Sequence, residues 1–155
     1  MIVVPTKEEE YKAMVGFMQA YALVQPTADM QCVGWVTEGR LRLCVGLNAF
    51  LGKTCQIHVA MEPGYEFTPK EMLEYVFKWA FEGLGRKQLI GIVNSNNRRA
   101  MRYDRHLGFT EFGRMMGLHD DGGDIVIFTM TSDECKYYVP TALPEEQQPV
   151  EAEAA

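Results

Sequence analysis

Residues 93–109 read VNSNNRRAMRYDRHLGF and place four arginines within eight positions of a chain whose formal net charge is −6. An Asn or Ser among residues 94–96 predicts the cap of a helix, and the Leu-Gly-Phe ending predicts its close. Three residues at i, i+3 and i+7 are expected to face the core: Ala100, Tyr103 and Leu107. Three of the arginines share another face: Arg98, Arg102 and Arg105. The stretch therefore predicts an amphipathic helix with a basic surface.

Apolar runs on both sides of this helix predict seven strands. They cover residues 2–4, 30–37, 41–47, 54–61, 88–93, 109–118 and 125–131. Almost every position of the fifth strand is apolar, which is typical of a strand that is covered on both faces. Two further helices precede the second and the fifth strand, so the element order is β-α-β-β-β-α-β-α-β-β. This order predicts an α/β (α+β) fold around a mixed central sheet.

Two Thr-to-Glu patterns predict where the other helices begin. Thr6 with Glu9 matches a capping box, in which the hydroxyl and the carboxylate satisfy free backbone amides. Thr68 with Glu71 repeats the pattern before the second helix. The first helix is expected to end near residue 23.

Composition separates a folded domain from a tail. The 155 residues are enough for about one domain. The final stretch, PTALPEEQQPVEAEAA, is rich in Pro, Glu, Gln and Ala and contains no aromatic residue. Such a segment buries too little apolar surface to offset the entropy of ordering it. We therefore expect one domain over residues 1–139 and a disordered acidic tail over residues 140–155.

Several classes of protein and of site are disfavoured by the sequence. No apolar run approaches the ~20 residues of a membrane span, and no basic segment precedes an apolar one at the start, so neither a membrane partner nor secretion is expected. The four cysteines form no CxxC pair, which indicates reduced core thiols in a cytoplasmic protein and no metal or redox site. The net negative charge argues against nucleic acid as the main partner.

Motifs along the chain carry a resemblance to a known superfamily. Asn97 is followed by Ala three positions later and by Gly-Phe eleven and twelve positions later, and QCVGW, HVAMEP, FTEFGRM, DIVIFTM and ECKYY occur elsewhere. The combination resembles the GNAT superfamily of N-acetyltransferases, most strongly over residues 62–130. Within it, the chain is similar to a phage and proteobacterial branch that includes relatives of ribosomal-protein N-terminal acetyltransferases. The resemblance implies a GNAT-like sheet of about seven strands with about three to four helices, in which strands 4 and 5 are splayed.

The resemblance also implies a chemistry. GNAT proteins transfer an acetyl group from acetyl-CoA, used as a cosubstrate, to an amine by direct attack on the thioester and without a metal. The acceptor here would be a protein, a peptide or a small molecule. Two other interpretations stay open: a catalytically degraded GNAT-fold binding or phage virion-associated protein, and a scaffold that binds coenzyme A without turnover. An exposed last strand could also pair with a second copy and form a homodimer.

Contacts with the cosubstrate are implied in the fourth strand, at the start of the second helix and in the third helix. The residues are Val59, Ala60, Met61, Thr68, Lys70, Glu71, Asn97, Arg98 and Tyr103. The family's pyrophosphate turn, Q/R-x-x-G-x-G/A, is matched by GYEFTPK at residues 64–70, which lacks both later glycines. The turn is therefore expected to be weakened or remodelled, although its amides and the Lys70 ammonium could still hold phosphate. The basic helix face is either a solvated surface or an attractive field for the phosphates.

His58 is the first candidate for a proton-transfer role. It lies in the fourth strand and alternates onto one face with Gln56 and Ala60, where it could take a proton from the amine. The alternative is a structural histidine that is hydrogen-bonded in the sheet. Glu62, at the end of the strand, is the reserve base.

Asp104 is the second candidate catalytic residue. It lies seven residues after Asn97, where many family members carry a tyrosine that protonates the departing thiolate. An ionised Asp104 would repel a thiolate, so it is a base, a substrate contact, or a bystander while solvent supplies the proton. Tyr103 lies one residue early, about 100° away around the helix, and is expected to pack. The Asn97 side chain can cap the helix and also bond a cofactor amide.

Overall fold

A seven-stranded mixed sheet forms the centre of the chain in the computed structural model, which describes residues 1–141. The strands are β1 (Ile2–Val3), β2 (Gln31–Thr37), β3 (Arg40–Leu51), β4 (Thr54–Met61), β5 (Gln88–Asn94), β6 (Thr110–Met115) and β7 (Ile125–Thr131). They lie side by side in the order β1-β2-β3-β4-β5-β7-β6. Within these residues the helices are α1 (Glu8–Ala22), α2 (Lys70–Lys78), which continues into a π-helical turn (Trp79–Gly83), and α3 (Arg98–Leu107). The predicted element order is confirmed, with β3 longer and β6 shorter than expected.

β4 and β5 are the parallel neighbours in the sheet, and they pair only where they begin. The three paired positions are Thr54 with Gln88, Cys55 with Leu89 and Gln56 with Ile90. Beyond them each strand stays bonded on its other side, β4 to β3 and β5 to β7. The splayed strands 4 and 5 that the resemblance implies are therefore present, and the sheet is open at their carboxyl ends.

α1 covers one face of the sheet over β2, β3 and β4. Met18 of this helix is buried against Cys32, Cys44 and Ala60. The helix lies so close to the strands that a Cβ on Gly46 would sit 2.7 Å from the Met18 sulfur. The absence of a side chain at Gly46 therefore leaves room for the Met18 side chain between α1 and the sheet.

α2 and α3 cover the opposite face and share one apolar cluster with the strands beneath them. Phe77 of α2 and Leu107 of α3 pack in this cluster with Leu89 of β5 and Phe128 of β7. All four side chains are buried, and burying a side chain of this size contributes about 1.5–3 kcal/mol. The cluster therefore anchors both helices beside the parted strands.

β5 is covered on one face only, which corrects the expectation of a strand covered on both faces. Leu89 and Gly91 are buried on the side of α2 and α3, whereas Ile92 is 51% exposed. The reason is that α1 makes its sheet contacts with β2, β3 and β4. Ile92 and its directly paired neighbour Ile127 of β7 therefore form part of an uncovered apolar strip beside α1.

The start of α1 is capped by a different glutamate from the one that the sequence predicts. Oε2 of Glu10 accepts hydrogen bonds from the amides of Thr6, at 2.8 Å, and of Lys7, at 3.2 Å. Lys7 is the cap residue and the helix begins at Glu8. Only the carboxylate half of the predicted capping box is therefore present: it comes from Glu10 and not from Glu9, and the Lys7 side chain makes no capping hydrogen bond.

The described part of the chain ends at Thr141, which is bonded to the domain. Its amide and its hydroxyl donate to the two carboxylate oxygens of Glu82, at 2.6 and 3.0 Å. The predicted tail, residues 140–155, lies outside the described residues from 142 onward and stays a prediction. All four cysteines lie in the described part and are buried and free. Over the same residues, no helix is long and apolar enough to cross a membrane.

Candidate active site

The gap between the parted ends of β4 and β5 opens into a cavity of about 420 Å³. Its walls are residues 57–59 of β4, residues 91–94 of β5, residues 21–24 at the end of α1, and one face of α3. Five of the residues predicted for the site line this cavity: His58, Val59, Asn97, Tyr103 and Asp104. The structure therefore brings both candidate catalytic residues to one cavity, from two elements on either side of the gap.

The other predicted contact residues lie outside the cavity wall. The Ala60 side chain is buried beneath α1, and Met61 packs on the α2 side of the sheet. Lys70, Glu71 and Arg98 are exposed in the first turns of α2 and α3. A ligand would have to extend beyond the cavity to reach these three side chains, so their role stays a prediction.

His58 lies on the cavity wall with one ring nitrogen bonded to a neighbouring strand. Nε2 is 2.7 Å from Oδ1 of Asn48, whose side chain belongs to a residue only 5% exposed. Burial lowers the pKa of His58, so the ring is neutral at pH 7 because the ordinary value is already about 6.5. The ring is thus fixed within the sheet and also accessible from the cavity. Sequence reasoning missed Asn48, because its partner lies on another strand.

Asp104 presents a carboxylate to the cavity from α3. Among residues 1–141 the structure shows no hydrogen bond or ion pair to this carboxylate. Burial raises the pKa of Asp104 to about 7, because removing an ionised carboxylate from water is costly. Near neutrality a large share of the Asp104 side chains is therefore protonated, and the repulsion expected between an ionised Asp104 and a thiolate is reduced.

Tyr103 joins α3 to the segment before α2. Its hydroxyl lies 3.0 Å from the hydroxyl of Thr68, and burial raises the pKa of Tyr103 to about 12. The Thr68 side chain does not cap α2, which begins at Lys70 after Pro69, so the second predicted capping box is wrong. Tyr103 packs as expected but also lines the cavity, where its high pKa makes it a weak proton donor.

Arg99 makes a second link between α3 and the segment before α2. A terminal guanidinium nitrogen lies 3.4 Å from the carbonyl oxygen of Tyr65, and the other lies 4.0 Å from a Glu66 carboxylate oxygen. Arg98 and Arg102 are exposed beside it. Sequence reasoning singled out the other three arginines because they share a helix face, and it missed Arg99 because the segment that Arg99 contacts is 34 residues away.

Glu62 is excluded as the reserve base by its neighbours. Its two carboxylate oxygens are bonded to the guanidinium groups of Arg42, at 2.5 Å, and Arg40. The hydrogen bond from Arg42 contributes most to lowering the pKa of Glu62. A carboxylate held by two cations is a poor proton acceptor at neutral pH, so Glu62 links β3 to the end of β4.

The mouth of the cavity is closed on one side by the turn between β6 and β7. The Asn94 amide nitrogen, at the end of β5, lies 2.7 Å from an Asp121 carboxylate oxygen and 3.1 Å from Nδ1 of His119. His119 also lines the cavity.

Over the described residues, no group of three or more His, Cys, Asp and Glu side chains could hold a metal ion.

Asn97 caps α3, which confirms the expectation for its side chain and shows that the predicted cap among residues 94–96 is wrong. Its Oδ1 accepts a hydrogen bond from the backbone amide of Ala100 at 3.1 Å.

We expect Asn97→Ala to lower the free energy of unfolding by about 1 kcal/mol, measured by urea denaturation, because the backbone amide of Ala100 then loses its hydrogen-bond partner. Asn97→Ser keeps a capping oxygen and is the control; an equal loss in both variants would contradict the assignment.

Comparison with known proteins places the fold. Neither the sequence models of protein families nor the curated protein sequences contain a match to this chain. Among solved structures, the ribosomal-protein-S18-alanine N-acetyltransferase from Escherichia coli matches 84% of this chain and 92% of its own, with a TM-score of 0.66 and 16% identity. The spermidine N-acetyltransferase from Vibrio cholerae, in complex with CoA and spermine, matches 86% of this chain and 96% of its own, with a TM-score of 0.67 and 10% identity. At these identities the likeness concerns the fold, and the chain therefore has the fold of the GNAT N-acetyltransferases.

Proposed function

We propose that this chain is an acetyl-CoA-dependent N-acetyltransferase that transfers an acetyl group directly to an amine. The observation that supports it most is the parting of β4 and β5, which opens a cavity between His58 and Asp104. The facing edges of the parted strands leave backbone amides and carbonyls without a sheet partner, and such groups need a ligand or water. The fold shared with N-acetyltransferases favours the same function.

The residues around the gap fit the thioester end of acetyl-CoA. A Cβ on Gly91 would lie 3.4 Å from Oδ2 of Asp104, so glycine leaves the space in front of the carboxylate open. Acetyl-CoA supplies an acetyl group activated as a thioester. Asp104 faces this space with no protein partner among the described residues, which suits a group that donates to the ligand.

His58 and Asp104 divide the proton transfers. Nδ1 of His58 accepts one proton from the incoming ammonium group. The amine nitrogen then has a free lone pair with which it attacks the acetyl carbon. As the C–N bond forms and the C–S bond breaks, the Asp104 carboxyl donates its proton to the departing sulfur. The amine nitrogen gives its second proton to Asp104, which restores the Asp104 carboxyl. His58 releases its proton to solvent, so one proton is released for each acetyl group transferred.

The phosphates of the cosubstrate are expected outside the cavity, where the starts of α2 and α3 meet. The Thr68 to Tyr103 hydrogen bond and the Arg99 contact hold α3 against the segment that precedes α2. Exposed guanidinium groups at Arg98 and Arg102 lie on the same helix as these contacts. Because the matching loop has Thr68 and Lys70 near the two glycine positions of the pattern, we infer that guanidinium groups supply part of the attraction that backbone amides provide in a Gly-rich turn.

We expect Arg98→Gln and Arg102→Gln each to weaken acetyl-CoA binding about threefold, and the double variant about tenfold, in isothermal titration calorimetry. An exposed charge contact contributes up to about 1 kcal/mol, and 1.4 kcal/mol is a factor of ten. Lys53→Gln, in the turn between β3 and β4, is the matched loss of one exposed charge. A uniform small effect in all three single variants would mean that net charge alone attracts the ligand.

The wall that an acceptor would meet on the α1 side is largely apolar. Tyr21 and Leu23 line the cavity and are 46% and 83% exposed, and Ile92 lies across from them. An acceptor with an apolar group beside its amine would bury part of these side chains, whereas a polyamine would find no carboxylate among them. A peptide or small molecule of that kind is therefore the preferred class of acceptor.

The function is tested by calorimetry with acetyl-CoA, followed by release of free thiol over a panel of amines and peptide N-termini. Saturable binding with amine-dependent thiol release is expected. The absence of binding would overturn the proposal and favour a degraded binding or virion-associated protein. Binding without thiol release for any amine would instead indicate a scaffold.

We also infer a cytoplasmic location and a homodimer. The buried free thiols suit a reducing compartment. The last strand, β7, is paired with β5 and β6 on its two sides, so the expectation that it is exposed for pairing is wrong. The edge strand beside it is β6, whose Phe112 is 76% exposed, so a second copy could cover β6. The net charge of −6 would repel nucleic acid, so we propose neither nucleic acid nor a membrane as a partner.

A further inference from the structure

We propose that Asn48 and Thr27 are positioning residues that, together with Asp29, hold the His58 ring in the orientation in which Nδ1 faces the cavity as a proton acceptor. This inference rests on the proposed function, because it explains how that base is prepared. It also assigns a role to the loop between α1 and β2, residues 23–30, which carries both Thr27 and Asp29.

The four side chains form a continuous series of hydrogen bonds. His58 Nε2 lies 2.7 Å from Asn48 Oδ1. The Asn48 amide nitrogen donates to the Thr27 hydroxyl oxygen at 3.1 Å. The Thr27 hydroxyl donates to Oδ1 of Asp29 at 2.5 Å, and the other Asp29 oxygen accepts from the Phe50 amide at 3.1 Å. The series therefore runs from the cavity wall to the surface loop without a gap.

Each group in the series fixes the direction of the next. An ionised carboxylate can only accept, and the Thr27 hydrogen bond is the first cause of the lowered pKa of Asp29. Thr27 must therefore donate to Asp29, and its oxygen is left to accept from the amide nitrogen of Asn48. The amide oxygen of Asn48 then faces His58, so Nε2 carries the hydrogen and Nδ1 keeps the lone pair.

The opposite orientation of the Asn48 amide is disfavoured by the same contacts. Its oxygen would then face a Thr27 oxygen whose only hydrogen is directed at Asp29. Its nitrogen would face Nε2 of His58 and require the hydrogen to move to Nδ1, which could no longer accept a proton. A buried polar group without a matching partner destabilises the fold, so the Asn48 amide is held in one orientation.

The backbone next to Asn48 is irregular, which independently indicates that this segment is held in a specific conformation. The pairing of β3 with β4 shifts register between Asn48 and Leu51, and Ala49 adopts a positive φ of 50°. A positive φ is uncommon for a residue with a Cβ and is retained where surrounding structure requires it. A bulge redirects neighbouring groups, and this one brings the Phe50 amide to Asp29.

The loop that completes the series is also a wall of the cavity. Leu23 and Val24 line the cavity, while Thr27 and Asp29 are exposed a few residues later. An acceptor that displaces this loop would break the series at Thr27. His58 therefore keeps the orientation with Nδ1 as proton acceptor only while the loop stays packed against β3. The other ionisable groups that line the cavity opposite His58 are Tyr21, Tyr103, Asp104 and His119.

The test compares Thr27→Val, which cannot bond either neighbour, with Thr27→Ser, which can, and with Thr110→Val on β6 as the matched control. Heteronuclear NMR of the free full-length protein reports which His58 nitrogen carries the hydrogen. The wild type, Thr27→Ser and Thr110→Val are expected to show hydrogen on Nε2, and Thr27→Val is expected to show a mixture. Thr27→Ser and Thr110→Val are expected to keep the wild-type Tm, whereas Thr27→Val is expected to lower it modestly, because the buried Asn48 amide nitrogen loses its partner.

Activity supplies the second measurement. Thr27→Val is expected to lower kcat about threefold to tenfold while the KM for acetyl-CoA is unchanged. Asp29→Asn is likewise expected to lower kcat and to give a mixture of hydrogen positions on His58 in the NMR measurement. Hydrogen on Nδ1 in the wild type, or an unchanged signal in Thr27→Val, overturns the inference. A wild type with hydrogen on Nε2 but no amine-dependent thiol release would instead overturn the proposed function and leave the hydrogen-bond series standing.

Discussion

His58→Gln is expected to lower kcat/KM for acetyl transfer by roughly 100-fold or more, since a positioned general base contributes about 10²–10⁴. Gln remains neutral and can still donate to Asn48, but it cannot accept a proton from an ammonium group. The measurement is release of free thiol at saturating acetyl-CoA over a range of pH.

The pH dependence separates a basic role of His58 from a structural one. Burial lowers the pKa of His58, so the fraction of neutral ring rises with pH through a value below about 6.5. The wild type is expected to gain activity across that range, with an acceptor whose own pKa lies elsewhere, and His58→Gln is expected to lose this rise. An unchanged rate in a folded His58→Gln protein that binds acetyl-CoA normally would assign His58 to structure alone.

Asp104→Asn is expected to lower kcat by about 10- to 100-fold below pH 7, because the amide cannot transfer a proton to the departing sulfur. The wild-type rate is expected to fall as pH rises through about 7, the raised pKa of Asp104, since only the protonated carboxyl can donate. The variant should lose this fall. Asp133→Asn, an exposed carboxylate in the turn after β7, is the matched control.

Stability gives a second signature of Asp104 that does not depend on activity. Its folded pKa of about 7 lies above the ordinary value for Asp, so between those two values the folded state binds more protons than the unfolded state. The contribution of Asp104 to stability therefore falls as pH rises from about 4 to about 7. Asp104→Asn is expected to raise the Tm at pH 8 and to change it little at pH 4. A Tm that falls at pH 8 would contradict the burial of an uncompensated carboxylate.

Local patterns predicted most of the fold. Each of the seven strands and three helices has a periodicity, an apolar run or a turn that lies within it, and the parted strands follow from the resemblance. Ile92 shows where local patterns fail, because its exposure depends on which strands α1 happens to cover. The same holds for Glu62, whose arginine partners lie on the preceding strand 20 and 22 residues earlier.

The candidate site was predicted less completely than the fold. His58, Asn97 and Asp104 line the cavity and could be named from the sequence because each occupies a motif position on its own element, whereas their roles stay predictions. Asn48 could not be found, since an Asn within a strand reads as a local irregularity until its partners on β4 and in the α1–β2 loop are known. Thr68 matched a helix-start pattern, yet its hydroxyl is taken by Tyr103 on a helix that is 35 residues away.

The missing side chain at Gly46 has a consequence for access to the cavity. The sulfur atoms of Met18 and Met30 and the terminal methyl carbon of Met18 would lie 2.7 to 3.0 Å from a Cβ there, so a larger residue would require these methionine side chains or α1 to shift. The last turn of α1 lines one side of the cavity entrance. A side chain at Gly46, which does not line the cavity, would therefore change the width of the entrance to the extent that α1 takes up the shift, while every residue that lines the cavity stays the same.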